Sequence, residues 1–85
     1  MRIKDSKKEV KDFVQYIFNW VYSKYYCEGD TNFKYTINKY EFAYFLADKG
    51  IEKRLEKKFL KRLNLETKVT YNFNSLIGIL KIEIY

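Results

Sequence analysis

At Thr67 the spacing of apolar residues changes from every third or fourth position to every second. That change divides the chain, because the first period lines up side chains along a helix and the second puts them on one face of a strand. Downstream, Val69, Tyr71 and Phe73 alternate with Lys68, Thr70 and Asn72, and Leu80, Ile82 and Ile84 alternate with Lys81, Glu83 and Tyr85. Asn74 and Ser75 supply a turn between the two runs, and Gly78 is expected to mark a bulge that changes which face is apolar. The end of the chain therefore reads as a β-hairpin.

Upstream the pattern is helical. Ser6 and Glu9 form a capping box, followed by Val10, Phe13, Val14, Ile17, Trp20 and Val21 on one stripe, which gives a helix over residues 7–26. A second stripe of Phe18, Tyr22 and Tyr26 widens its apolar face, so this helix is expected to pack on more than one side. A turn-rich break follows at residues 27–32, and residues 33–35 alternate briefly enough for a short strand. Asn38 with Glu41 makes a second capping box, flanked by Ile37 and Phe42 at the hydrophobic-staple positions. It opens a helix over residues 39–48, closed by Gly50 as a left-handed C-terminal glycine. Ile51, Leu55, Phe59 and Leu63, spaced by four, give a third helix. So short a connection makes the second and third helices cross steeply, as in a helix-turn-helix.

Composition limits the chemistry. A chain of 85 residues makes one domain, residues 1–85. The chain has 47% hydrophobic and 33% charged residues, so a packed core is expected rather than disorder. Apolar runs fall well short of the roughly 18 residues a membrane span needs, and no signal peptide is apparent. The expected location is the cytoplasm of the host cell. There is no histidine and one cysteine, Cys27, which removes the commonest general base, the commonest metal ligand and any internal disulfide. Glu28 and Asp30 are too few for a calcium loop. No catalytic residue, metal or cofactor is expected, and the chain is not read as an enzyme. Lys, Asn, Ile, Phe and Tyr supply 44 of the 85 residues, all encoded largely by A/T-rich codons. Tyrosine richness alone is therefore no binding signature; low-GC bacteria, their phages and plasmids, and some archaeal viruses all fit this composition, and a virus or mobile element is the expected source.

The net charge of +6 is concentrated. Residues 49–62 hold seven basic side chains and two acidic ones. At 100° per residue the apolar side of the third helix spans about 120°. Lys53, Arg54, Lys57, Lys58, Lys61 and Arg62 fill about 180° on the opposite side, with Glu52 and Glu56 near the apolar edge. A helix that needed only solubility would interleave signs, whereas here like charges such as Lys53 and Lys57 stand four apart, which costs a few tenths of a kcal/mol per pair. A polyanion is the partner this arc fits best. Weaker candidates are single-strand stacking by Trp20, Tyr16, Tyr22 and Tyr26 and a basic arm of Arg2, Lys4, Lys7, Lys8 and Lys11, diluted by Asp5, Glu9 and Asp12. A membrane-surface role for residues 51–63 is disfavoured by the lack of Trp on that helix.

Three helices followed by a C-terminal hairpin, with a tight Gly50-Ile51 turn and a basic third helix, resemble the winged helix-turn-helix. The resemblance implies an α+β winged-helix-like domain whose third helix enters the major groove of duplex DNA and whose hairpin is the wing. No Ser or Thr caps the third helix, and the hairpin carries only Lys68 and Lys81 as basic residues, leaving Asn72, Asn74 or Ser75 to touch phosphates. A narrower resemblance, over residues 13–50, is to the C-terminal winged-helix module of phage and poxvirus-type primase-helicases. Ile37, Asn38, Glu41, Phe42, Leu46, Gly50 and Ile51 carry it, without the ATPase domain. Transcription regulation or replication is the implied setting, with a homodimer as a common state of short helix-turn-helix proteins. A protein-binding inhibitor or accessory factor against a host or viral enzyme is the alternative.

Overall fold

The computed structural model describes residues 6–74 and 76–85, with side chains from Lys8 onward. The side chains of Ser6 and Lys7, the arm residues Arg2 and Lys4, and Ser75 of the hairpin turn lie outside the described residues. The first helix, α1 (Ser6–Glu28), buries Val10, Phe13, Val14, Ile17 and Val21 along its stripe. It stops at Gly29, whose φ of 73° turns the chain, and the N–H groups of Gly29 and Asp30 close on the carbonyls of Tyr25 and Lys24. The second stripe is buried only in part. Phe18 packs on Phe59 at 5.2 Å between ring centroids, while Tyr22 and Tyr26 stay exposed, so α1 is not covered on that flank near its C-terminal end.

Two short helices follow the first strand. The second, α2 (Tyr40–Leu46), is shorter than its apolar pattern implies, and Asn38 does not cap it. The preceding strand pairs as far as Ile37 with Gly78, which keeps Asn38 out of the cap and puts Lys39, without a side-chain acceptor, at that position. At the other end the N–H groups of Ala47 and Lys49 bond three residues back, to Tyr44 and Leu46. That tightened turn ends the helix early and delivers the chain to Gly50, left-handed with φ 66°, after which α3 (Ile51–Leu63) begins at once. Asn64, also left-handed, closes α3 through bonds to Leu60 and Phe59. Ile51, Leu55 and Phe59 are fully buried, and α3 packs against α1 and the hairpin.

The hairpin is two thirds of a larger sheet. Strands β1 (Asn32–Ile37), β2 (Thr67–Asn74) and β3 (Ile77–Ile84) form one antiparallel sheet in the order β1-β3-β2. Register aligns Phe33, Ile82 and Val69 in one row and Tyr35, Leu80 and Tyr71 in the next, both on the face under the helices. Pairing runs unbroken from Thr67–Ile84 to Asn74–Ile77, so Gly78 is no bulge. It is needed for close approach: a Cβ there would stand 2.7 and 2.8 Å from carbons of the Tyr71 ring. Tyr71 crosses Gly78 diagonally and donates its O–H to the Ala43 carbonyl of α2 at 2.7 Å. The result is a small α+β domain with three helices and a three-stranded antiparallel sheet.

The edge of β2 is not left open. The Val69 N–H donates to the Glu56 carboxylate of α3 at 2.9 Å. An edge amide answered by a helix carboxylate fixes how α3 lies along the sheet. Glu56→Ala is expected to lower stability by about 1–3 kcal/mol, because a part-buried donor loses its partner. Glu56→Gln, which keeps an acceptor oxygen, should recover much of that loss in urea denaturation.

Candidate nucleic-acid interface

The basic side chains of α3 do not form one uniform surface. Arg54, Lys57, Lys58, Lys61 and Arg62 line an open groove between α3 and the N-terminal half of α1, which contributes Lys11 and Val14. Lys53 turns to the other side, beside Leu60, Leu65 and Tyr85. Five of the six residues expected from the arc are thus brought together, and Lys11 joins them. Its membership was legible only as a position next to the buried stripe of α1; which neighbour α1 packs on decides the rest.

Among the described residues no carboxylate lines the groove. The acids of α3 lie outside this lining: Glu56 accepts from the Val69 amide, and burial first, then the nearby Glu52 carboxylate, push the Tyr71 phenol pKa upward. Among the described residues the groove therefore carries six cations with no acidic side chain in its lining, and the like-sign spacing at four residues along α3 is left unrelieved. Lys61 and Arg62 gain something from the C-terminal end of the helix dipole, which is favourable to cations in the last turn. Arg54, Lys57 and Lys58 stand too far from that end to benefit.

Within the groove the side chains differ in freedom. Arg54 Nε donates to the Lys49 carbonyl at 3.2 Å, which fastens the guanidinium to the α2–α3 turn and leaves its terminal nitrogens free. Lys58 is half-buried, its ammonium 5.3 Å from the centre of the Phe18 ring. Such a cation–π contact ties Lys58 to the α1–α3 packing as well as to the groove. Lys57, Lys61 and Arg62 are exposed, and none makes an ion pair or side-chain hydrogen bond among the described residues.

The aromatic candidates separate too. Trp20 packs edge-on against Phe33 and Tyr35 at 5.6 and 5.7 Å and belongs to the core boundary. Tyr16, Tyr22 and Tyr26 are exposed, away from the groove lining. A cluster that periodicity did not reveal joins Tyr40, Tyr44 and Phe73: the two tyrosines lie nearly parallel at 6.0 Å, each 5.8 Å from Phe73. Asn72 and Asn74 are exposed on β2, and Cys27 is exposed near the end of α1. Among the described residues no helix is long and apolar enough to cross a membrane. Comparison with protein-family models, with curated proteins and with solved structures gives no match for the chain.

Proposed function

We propose that the protein is a winged-helix nucleic-acid-binding protein that takes duplex DNA on the basic side of α3 and acts in transcription regulation or replication for a virus or mobile element. The observation that carries the reading is the groove of six cations from α3 and α1 with, among the described residues, no carboxylate in its lining. Support for the winged-helix assignment comes from the order α1-β1-α2-α3-β2-β3 and the tight α2–α3 turn, with hairpin β2-β3 in the place of a wing. The A/T-codon composition supports the source, and DNA in the cytoplasm of the host cell is the target.

In this reading Lys57, Lys61 and Arg62 neutralise phosphates, with Lys11 and Lys58 at the groove's α1 side. Lys53 reaches the backbone from the outer flank of the helix. Arg54 lies in the first turn of α3, where recognition helices meet base edges, and its bond to Lys49 holds the guanidinium plane before DNA arrives. Two free terminal nitrogens then suit a guanine edge.

Purified protein is expected to shift arbitrary duplex DNA at about 50 mM salt without a second protein. Arg54→Ala should cost about 1–3 kcal/mol on a preferred site and little on others. Absence of any shift at low salt would remove the reading. The exposed Tyr40 and Tyr44, seated on the half-buried Phe73, favour the alternative, a protein-binding inhibitor or accessory factor, since aromatic side chains are enriched in interface cores. Co-purification with one host enzyme in place of DNA binding would support it.

A further inference from the structure

The outer face of the sheet, away from the helices, carries a second concentration of positive charge. Lys34 of β1 and Lys81 of β3 stand directly opposite one another, and Thr70 of β2 completes their row. In the next row Lys68 and Asn32 flank Glu83. These side chains line one shallow depression, and the three lysines are exposed. Among the described residues none of the three lysines makes an ion pair.

Edge protection explains part of this. Lysine on an outer strand discourages pairing with another sheet, and Lys34 and Lys68 sit on the two outer strands. Lys81 has no such role, because β3 is the central strand with both edges already paired. Lysine is also a poor strand former, and placing it directly across from Lys34 puts like charges at the closest cross-strand spacing. Among the described residues the one acid on this patch, Glu83, stands in the next row opposite Lys68 and makes no ion pair with any of the three lysines. Three ammonium groups around a hydroxyl and an amide suit phosphate oxygens, which accept hydrogen bonds from all three kinds of donor.

We propose that this sheet face is a second phosphate-binding surface, on which one protein molecule holds a second duplex segment while the α3 groove holds the first. The inference rests on the nucleic-acid reading of α3. The sheet and the helical layer separate the two surfaces, so the protein would act as a bridge between segments.

The test uses one short duplex immobilised on beads and a second, fluorescent duplex in solution at low salt. Wild-type protein bound to the first is expected to capture the second. The triple variant Lys34→Thr, Lys68→Thr, Lys81→Thr keeps strand-favouring side chains on the sheet. It should still bind the immobilised duplex, while capture falls by about tenfold or more and loses its salt slope of about −2.7, three phosphates at −0.9 each. Glu83→Gln, which needs no lysine removed, should strengthen capture. Binding of the first duplex without capture of the second by wild type would overturn the bridge and leave the α3 reading standing. Undiminished capture by the triple variant would also overturn it, assigning bridging to contacts between protein molecules. Failure of wild type to bind the immobilised duplex would remove both.

Discussion

Gly78→Ala is expected to destabilise the protein by about 1–3 kcal/mol through overpacking alone, with roughly another 1 kcal/mol where the Tyr71 hydrogen bond is lost. The added methyl would meet the phenol hydroxyl and two ring carbons of Tyr71. Gly78 is buried in the central strand between Ile37 and Phe73, so the backbone has little room to withdraw. Tyr71 must then leave the Ala43 carbonyl, the polar contact that pins α2 to the sheet. For a domain of this size each kcal/mol lowers the melting temperature by about 4–8 °C, so the loss is easily read by thermal denaturation. The decisive comparison adds Tyr71→Leu. With the long ring gone, Gly78→Ala should become neutral or stabilising by about 0.5–1 kcal/mol, because alanine loses less backbone entropy than glycine in a strand. A double-mutant cycle showing no coupling would mean that Gly78 serves something other than the passage of Tyr71.

That glycine also shows where sequence reading stops. A bulge and a close approach both select glycine, and only the neighbour crossing it tells them apart. Local signals were sufficient for α3, whose limits are set by Gly50 and Asn64, both left-handed, around an unbroken four-residue spacing. They failed at Asn38, where the pairing of Ile37 with Gly78, forty-one positions later in the chain, holds the backbone extended past the expected cap. Residues 33–35 hinted at a strand, but nothing near them announces that β3 is the partner or that the hairpin is part of a three-stranded sheet. The cationic arc was visible because helical periodicity is local. Its division was not: Lys53 falls outside the groove, Lys11 enters it and Lys58 covers Phe18, all consequences of how α1 and α3 pack. Glu56 looked like an acid at the apolar margin, and its use as an acceptor for the β2 edge depends on where that edge comes to rest.

Binding should respond most strongly to the pair Lys57 and Lys61. If four of the groove's cations meet phosphates, log affinity falls with log salt at a slope of about −3.6. A rise from about 50 to 200 mM salt then weakens wild-type binding about 150-fold. Lys57→Ala with Lys61→Ala removes two contacts and brings the slope to about −1.8, so the same rise costs the variant only about 12-fold. Loss at low salt should be similar on every duplex sequence, since phosphate contacts carry no base information. Stability gives no competing explanation. Both side chains are exposed, they form a like-charged pair four residues apart, and alanine is the better helix former, so the variant should be as stable as wild type or slightly more so. Lys58→Ala is the contrasting control: it removes the ammonium over Phe18 and should lower stability by about 0.5–1 kcal/mol in addition to weakening binding. Salt titrations of wild type and the double variant on one duplex decide the matter. A folded double variant with wild-type affinity and an unchanged slope would show that the basic side of α3 is solvated surface and that any DNA contact lies elsewhere.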